Sequence, residues 1–142
     1  MLSKGFIQFI GYEVNKIHFE LSHYYEGDKE FQISPKFGMG VTDCGNNEYK
    51  VQLSISLVAT DENPIPFSME VVMTGNFLAN MENENDEFKQ KILHENTVAI
   101  MFPFLRAMVA SLTTNANIQP LLLPVFNIAG AFRNDDESVF KK

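Results

Sequence analysis

Tryptophan is absent, cysteine occurs once, and no apolar run reaches the about 20 residues needed to span a bilayer as a helix. With Cys44 alone no intrachain disulfide can form, which points to a reducing compartment. Positive charge is also scarce: 11 Lys and Arg face 18 Asp and Glu, a net charge of −7. Nucleic-acid binding draws on a basic face that releases counterions from phosphates, so this chain is poorly equipped for it. No GxGxxG, phosphate-binding loop, HExxH, CxxC or GxSxG motif occurs, so any activity runs without a nucleotide site of its own. The stretch Met1–Ile10 is a poor signal peptide, being short, broken by Gln8 and followed by Glu13. A soluble, cytoplasmic protein without direct membrane insertion is expected.

What is abundant is apolar surface. Hydrophobic residues make up 45% of the 142 residues, with 13 Phe, 4 Tyr and 7 Met. That length suits one domain with a real core, spanning 1–142 and ending in a polar tail from about 134.

The first two thirds read as strands. Val51, Leu53, Ile55, Leu57 and Ala59 alternate with polar residues, Val58 excepted, and Phe67, Met69, Val71, Met73 and Phe77 share one parity against Ser68, Glu70, Thr74 and Asn76. Asp61-Glu62-Asn63-Pro64 between them predicts a hairpin. Phe31, Ile33, Phe37, Met39 and Val41 keep the parity upstream, with Asp43–Asn47 as turn and Pro35 marking a bend or an edge. In the first strand the apolar parity switches between Val14 and Ile17, so an extra residue near Asn15-Lys16 has to be absorbed as a bulge.

After Phe77 the pattern turns helical. Asn85 and Asp86 start a short helix supported by Glu87–Lys91 and Phe88–Ile92 pairs. A longer one follows Thr97, begun or kinked at Pro103. Ile118–Phe126 is a greasy loop carrying two prolines, and Asn127 can cap a last short helix to Phe132. The fold class expected is α+β: a four-stranded antiparallel β-meander with two to three helices packed on one face. Met101, Leu105, Met108, Val109 and Leu112 exceed a narrow apolar stripe, so they are expected at an oligomer interface.

No catalytic constellation emerges. His18, His23 and His94 are far apart in sequence, His18 and His23 meet Cys44 only if the tertiary fold brings them there, and Glu82, Glu84, Asp86 and Glu87 lack the spacing of a calcium loop. A non-enzyme without cofactor or metal is expected. The exposed apolar loop suggests a groove for apolar ligands or a subunit contact.

Several fragments, in order, resemble the SecB family of protein-export chaperones. Met101-Phe102-Pro103-Phe104-Leu105-Arg106 is similar to that family's leucine–phenylalanine–proline–tyrosine–alanine–arginine signature, continued by Ser111-Leu112. Glu70-Val71 and Gly75-Asn76-Phe77 resemble its fourth strand, and Lys16-Ile17-His18-Phe19-Glu20 its first. Leu121–Phe132 resembles its loop and second helix.

The resemblance implies a homotetramer, a dimer of dimers, that holds unfolded precursor polypeptides without ATP and passes them to the SecA motor. It implies a client-binding trough lined by Phe67, Phe77, Phe102, Phe104, Leu122, Leu123, Phe126 and Phe132, and a motor contact through Glu20 and Glu70. This sequence departs from the pattern at Lys16, where an acidic residue is expected, and at Ser68, where leucine is expected. Two other readings stand beside the export holdase: a dedicated chaperone of one client, such as an antitoxin, and a carrier of small apolar ligands.

Overall fold

A computed structural model describes residues 7–25, 31–82, 85–118 and 121–123. Four strands form one antiparallel sheet: β1 (Ile7–Leu21), β2 (Lys36–Gly45), β3 (Glu48–Leu57) and β4 (Phe67–Ala79). One long helix, α1 (Asp86–Asn115), packs on one face.

The strand order β1-β4-β3-β2 corrects the expected meander. Strands β2, β3 and β4 do follow one another as hairpins, but β1 pairs with β4 on the far side. Chemistry explains the arrangement. β3 and β4 bury every second side chain and need neighbours on both edges, whereas β1 and β2 carry more exposed residues. Fourteen residues separate β1 from β2, ample length for two strands at opposite edges of the sheet. Pro35 immediately precedes β2, an edge strand, where a missing N–H costs no ladder bond.

The expected bulge is present. Val14 pairs with Met73 and Lys16 with Val72, leaving Asn15 as the extra residue. Its Oδ1 accepts from Thr74 Oγ1 at 2.5 Å. A second register shift lies between Phe9 and Gly11, which places both Phe9 and Tyr12 toward the helix. The β2–β3 turn uses Asn46 and Asn47, both at positive φ (55° and 64°), the geometry of a tight hairpin turn.

The two predicted helices are one. Asn85 caps α1, its Oδ1 accepting from Phe88 N–H at 2.7 Å, with Asp86 and Glu87 in the positive first turn. Thr97 sits inside the packed face and returns its hydroxyl to the Leu93 carbonyl, so no break occurs there. Pro103 lies on the exposed side, where water can serve the carbonyl its ring leaves without a donor. The predicted helix from Asn127 to Phe132 lies outside the described residues.

The core lies between α1 and the sheet. Met101, Leu105 and Val109 are wholly covered, facing strand residues such as Leu53, Val71 and Met73. Gly75 occupies the inward position between Met73 and Phe77, and a Cβ there would stand 2.6 Å from Met101 Sδ. Its missing side chain is what lets helix and sheet approach at that point.

Candidate functional site

The segment after the helix is held against it. α1 ends with Asn117 at φ 63°, Asn117 N–H bonding to Thr114 O (3.0 Å) and Ile118 N–H to Thr113 O (3.2 Å). This left-handed cap closes the helix. Leu121 N–H then donates to Thr113 Oγ1 (2.8 Å), while the Thr113 hydroxyl is within 3.0 Å of Val109 O. Arg106 Nε donates to Leu123 O at 2.6 Å. Leu121 thus lies opposite Thr113 and Leu123 opposite Arg106, so the segment runs back antiparallel to α1.

That path sorts the three leucines. Leu123 is buried, Leu121 half-buried, and Leu122 is 65% exposed. Sequence reasoning found the greasy loop but not these clips. Arg106 entered only as part of a resemblance, and Thr113 was missed. Its signal was a polar residue at the i+4 step after Leu105 and Val109 on the apolar stripe.

The six described residues of the expected client-binding set occupy different places around α1. Phe102 and Phe104 point to opposite flanks of α1. The Phe102 ring lies 6.3 Å from Phe37 on β2, and the Phe104 ring 4.8 Å from Tyr12 and 5.7 Å from Phe9 on β1. The Phe77 ring lies tilted against Phe9 (5.2 Å), and Phe67 stacks on Phe19 (5.3 Å). Phe67, Phe77, Phe102 and Leu123 are all core residues of the single chain, unavailable to a partner without rearrangement. Phe126 and Phe132 lie outside the described residues. Among the described residues Leu122 and Phe31 are exposed, and Leu121 and Phe37 are half-buried.

The interface expected on α1 is revised in the same way. Met101, Leu105 and Val109 have no surface left to give, because the sheet already covers them. Met108 and Leu112 stay half-exposed, joined on the outer side by Ala99, Ile100, Pro103, Phe104 and Ala107. The helix is therefore apolar on both sides. By length and composition it matches a membrane-crossing helix, but one side is the lid of a core.

The opposite face of the sheet is polar. Glu70 and Glu20 both lie on it, but Lys16 Nζ stands 2.6 Å from Glu70 Oε1. His18 Nε2 lies 3.8 Å from Glu20 Oε2. The surface around Glu20 and Glu70, expected to contact the motor, thus carries mixed charge. Cys44 is exposed near the β2–β3 turn, whereas His18 is on β1 at the other edge, so the two do not meet. Among the described residues no group of three or more His, Cys, Asp or Glu could hold a metal ion.

Comparison with known proteins agrees with this architecture. The family model described as preprotein translocase subunit SecB matches residues 12–138. An uncharacterized protein of Methanocaldococcus jannaschii is 30% identical over 136 residues, covering 92% of this chain and 85% of its own. The protein-export protein SecB of Afipia carboxidovorans is 28% identical over 107 residues, which are 75% of this chain and 65% of that protein. That of Rickettsia massiliae is 33% identical over 97 residues, 68% and 62% of the two chains. The chain thus spans a little under two thirds of these export proteins. Among solved structures, a Mycobacterium tuberculosis SecB-like chaperone, in complex with a ChAD peptide from the HigA1 antitoxin, superposes with a TM-score of 0.72. That match has 14% identity and covers 85% of this chain and 91% of the other, a likeness of fold. With a family match that begins inside β1 and runs past α1, this chain belongs to the SecB family.

Proposed function

We propose that the protein is an ATP-independent holdase that binds unfolded polypeptides through the apolar surface that Leu122 presents beside α1. The observation carrying this reading is Leu122: an aliphatic side chain 65% exposed on a segment whose two neighbours are tied to the helix. Its backbone neighbours are fixed by Arg106 and Thr113, so the side chain is held out in solvent rather than free to collapse. An unfolded client offers many short apolar segments, each bound weakly because ordering it costs entropy. Several sites in one homo-oligomer add these weak contacts into strong holding. Selectivity needs no sequence reading, since native proteins hide such segments.

Assembly as a dimer or a dimer of dimers fits the uncovered apolar side of α1 and the exposed Ile10, Tyr12, Ile17 and Leu21 of edge strand β1. A cytoplasmic, non-catalytic role in protein export suits the family. The Lys16–Glu70 pair favours a second reading, a dedicated chaperone of one client such as an antitoxin, because it removes free acidity from the face expected to meet SecA. Two assays decide. Changing Leu122 and Phe132 to serine should impair suppression of aggregation of several unrelated unfolded proteins without dissolving the oligomer. Protection of a single client, with no SecA binding at low salt, would select the dedicated reading. Binding of an apolar dye but of no unfolded polypeptide would point to a small-ligand carrier.

A further inference from the structure

Leu122 is only as useful as the backbone that presents it, and that backbone hangs on two side chains of α1. Thr113 is fully buried, and its hydroxyl works in both directions, accepting from Leu121 N–H at 2.8 Å and pointing its own proton at Val109 O (3.0 Å) or Ala110 O (3.1 Å). Arg106 is half-buried, and its Nε holds Leu123 O at 2.6 Å. These are the hydrogen bonds the described residues show for the segment, one before and one after Leu122. A donor fixed at one end and an acceptor at the other leave little rotation for the residue between them. Leu123 adds an apolar anchor, being only 2% exposed.

We propose that Arg106 and Thr113 are positioning residues for client binding: through Leu123 O and Leu121 N–H they set the register that buries Leu123, half-buries Leu121 and exposes Leu122. This rests on the holdase reading and adds to it a mechanism of pre-organisation. A segment already held in its binding geometry does not lose freedom again when a client docks. Loosening the clips lets Leu122 fold down onto the helix flank, which hides the apolar contact without unfolding the domain. The chemistry also distinguishes the two clips. Arg106 contributes one rigid N–H among five, which lysine replaces poorly because its ammonium is a point charge on a flexible stem. Thr113 contributes only its hydroxyl, which serine retains and valine lacks.

The test measures affinity for a permanently unfolded probe, fluorescein-labelled lactalbumin that has been reduced and carboxymethylated, on the intact oligomer. Thr113→Val should weaken binding fivefold or more and Thr113→Ser less than twofold. Arg106→Met should weaken it by a similar factor, with Arg106→Lys in between. Leu122→Ser should weaken binding in the unaltered protein but add nothing in the Arg106→Met background. Amide exchange at Leu121 should accelerate in Thr113→Val well beyond that of neighbouring helix amides. A purely structural role would lower the melting temperature of both variants and leave the affinity of the folded protein, and the Leu122→Ser effect, unchanged. That result overturns the proposal. If the unaltered protein binds no unfolded lactalbumin while remaining folded and oligomeric, the holdase reading itself fails, and the positioning role with it.

Discussion

Gly75 is where a single added carbon should report on the packing of helix against sheet. A Cβ built there meets Met101 Sδ at 2.6 Å, Phe77 Cε1 at 2.9 Å and Met101 Cε at 3.1 Å, against an optimum near 3.5–4.0 Å for such contacts. Neither neighbour can leave: Met101 is wholly buried and Phe77 is 1% exposed. Relief therefore needs an off-rotamer thioether or an outward shift of α1, and overpacking of this kind costs about 1–3 kcal/mol. Opposing it, replacing glycine by alanine restricts the unfolded chain and stabilises by about 0.4–1 kcal/mol. The clash wins, and Gly75→Ala should destabilise by roughly 1–2 kcal/mol, lowering Tm by several degrees for a chain of this size. Urea denaturation followed by circular dichroism, at fixed protomer concentration because assembly contributes to stability, gives the difference from the midpoint. Repeating the substitution in a Met101→Ala background isolates the contact. With the thioether gone, only the Phe77 contact at 2.9 Å remains and Phe77 gains vacated space to shift into, so the cost of the added methyl should fall clearly below that in the unaltered protein. An equal cost in both backgrounds would refute the reasoning, because the penalty would then owe nothing to Met101.

The outer and inner residues of α1 should separate assembly from folding. Met108→Asp together with Leu112→Asp should shift light scattering toward the 16.1 kDa monomer with helical circular dichroism retained, whereas Leu105→Ala should cost about 2–5 kcal/mol through the core of each subunit. An unaltered protein that scatters as a monomer at micromolar concentration would end the oligomer reading. On the polar face, Lys16→Glu removes the partner of Glu70 and should raise SecA binding at low salt, with the gain lost as salt rises; the exposed pair itself contributes at most about 1 kcal/mol of stability. No gain at any salt would separate this face from the motor. In the β2–β3 turn, Asn47→Val should destabilise by about 1–2 kcal/mol because φ is 64° there, while Asn47→Gly should be neutral or stabilising by thermal denaturation.

What can be read from the chain alone is what neighbouring residues decide among themselves. Alternation along Val51–Ala59 and Phe67–Phe77 defines two strands and their buried faces, since side chains two apart share a face wherever the strand ends up. The parity break at Asn15, the turn at Asn46-Asn47, the cap at Asn85 and the family signature around Pro103 belong to the same class. Even the approach at Gly75 is foreshadowed by a glycine on the buried parity.

Tertiary structure decided the rest, because partners distant in sequence leave no periodic trace. Parity says which face of β1 turns inward but not that β4, rather than β2, lies beside it. The helical stripe of Met101, Leu105 and Val109 announces burial without saying whether the sheet or another subunit provides the cover. The mixed-charge patch needed Lys16 and Glu70 to meet across two strands, and the presentation of Leu122 needed Arg106 to reach a carbonyl 17 residues further on. Such contacts follow from strand order and helix placement, which the whole chain settles at once by covering the apolar faces that each segment, taken alone, leaves exposed.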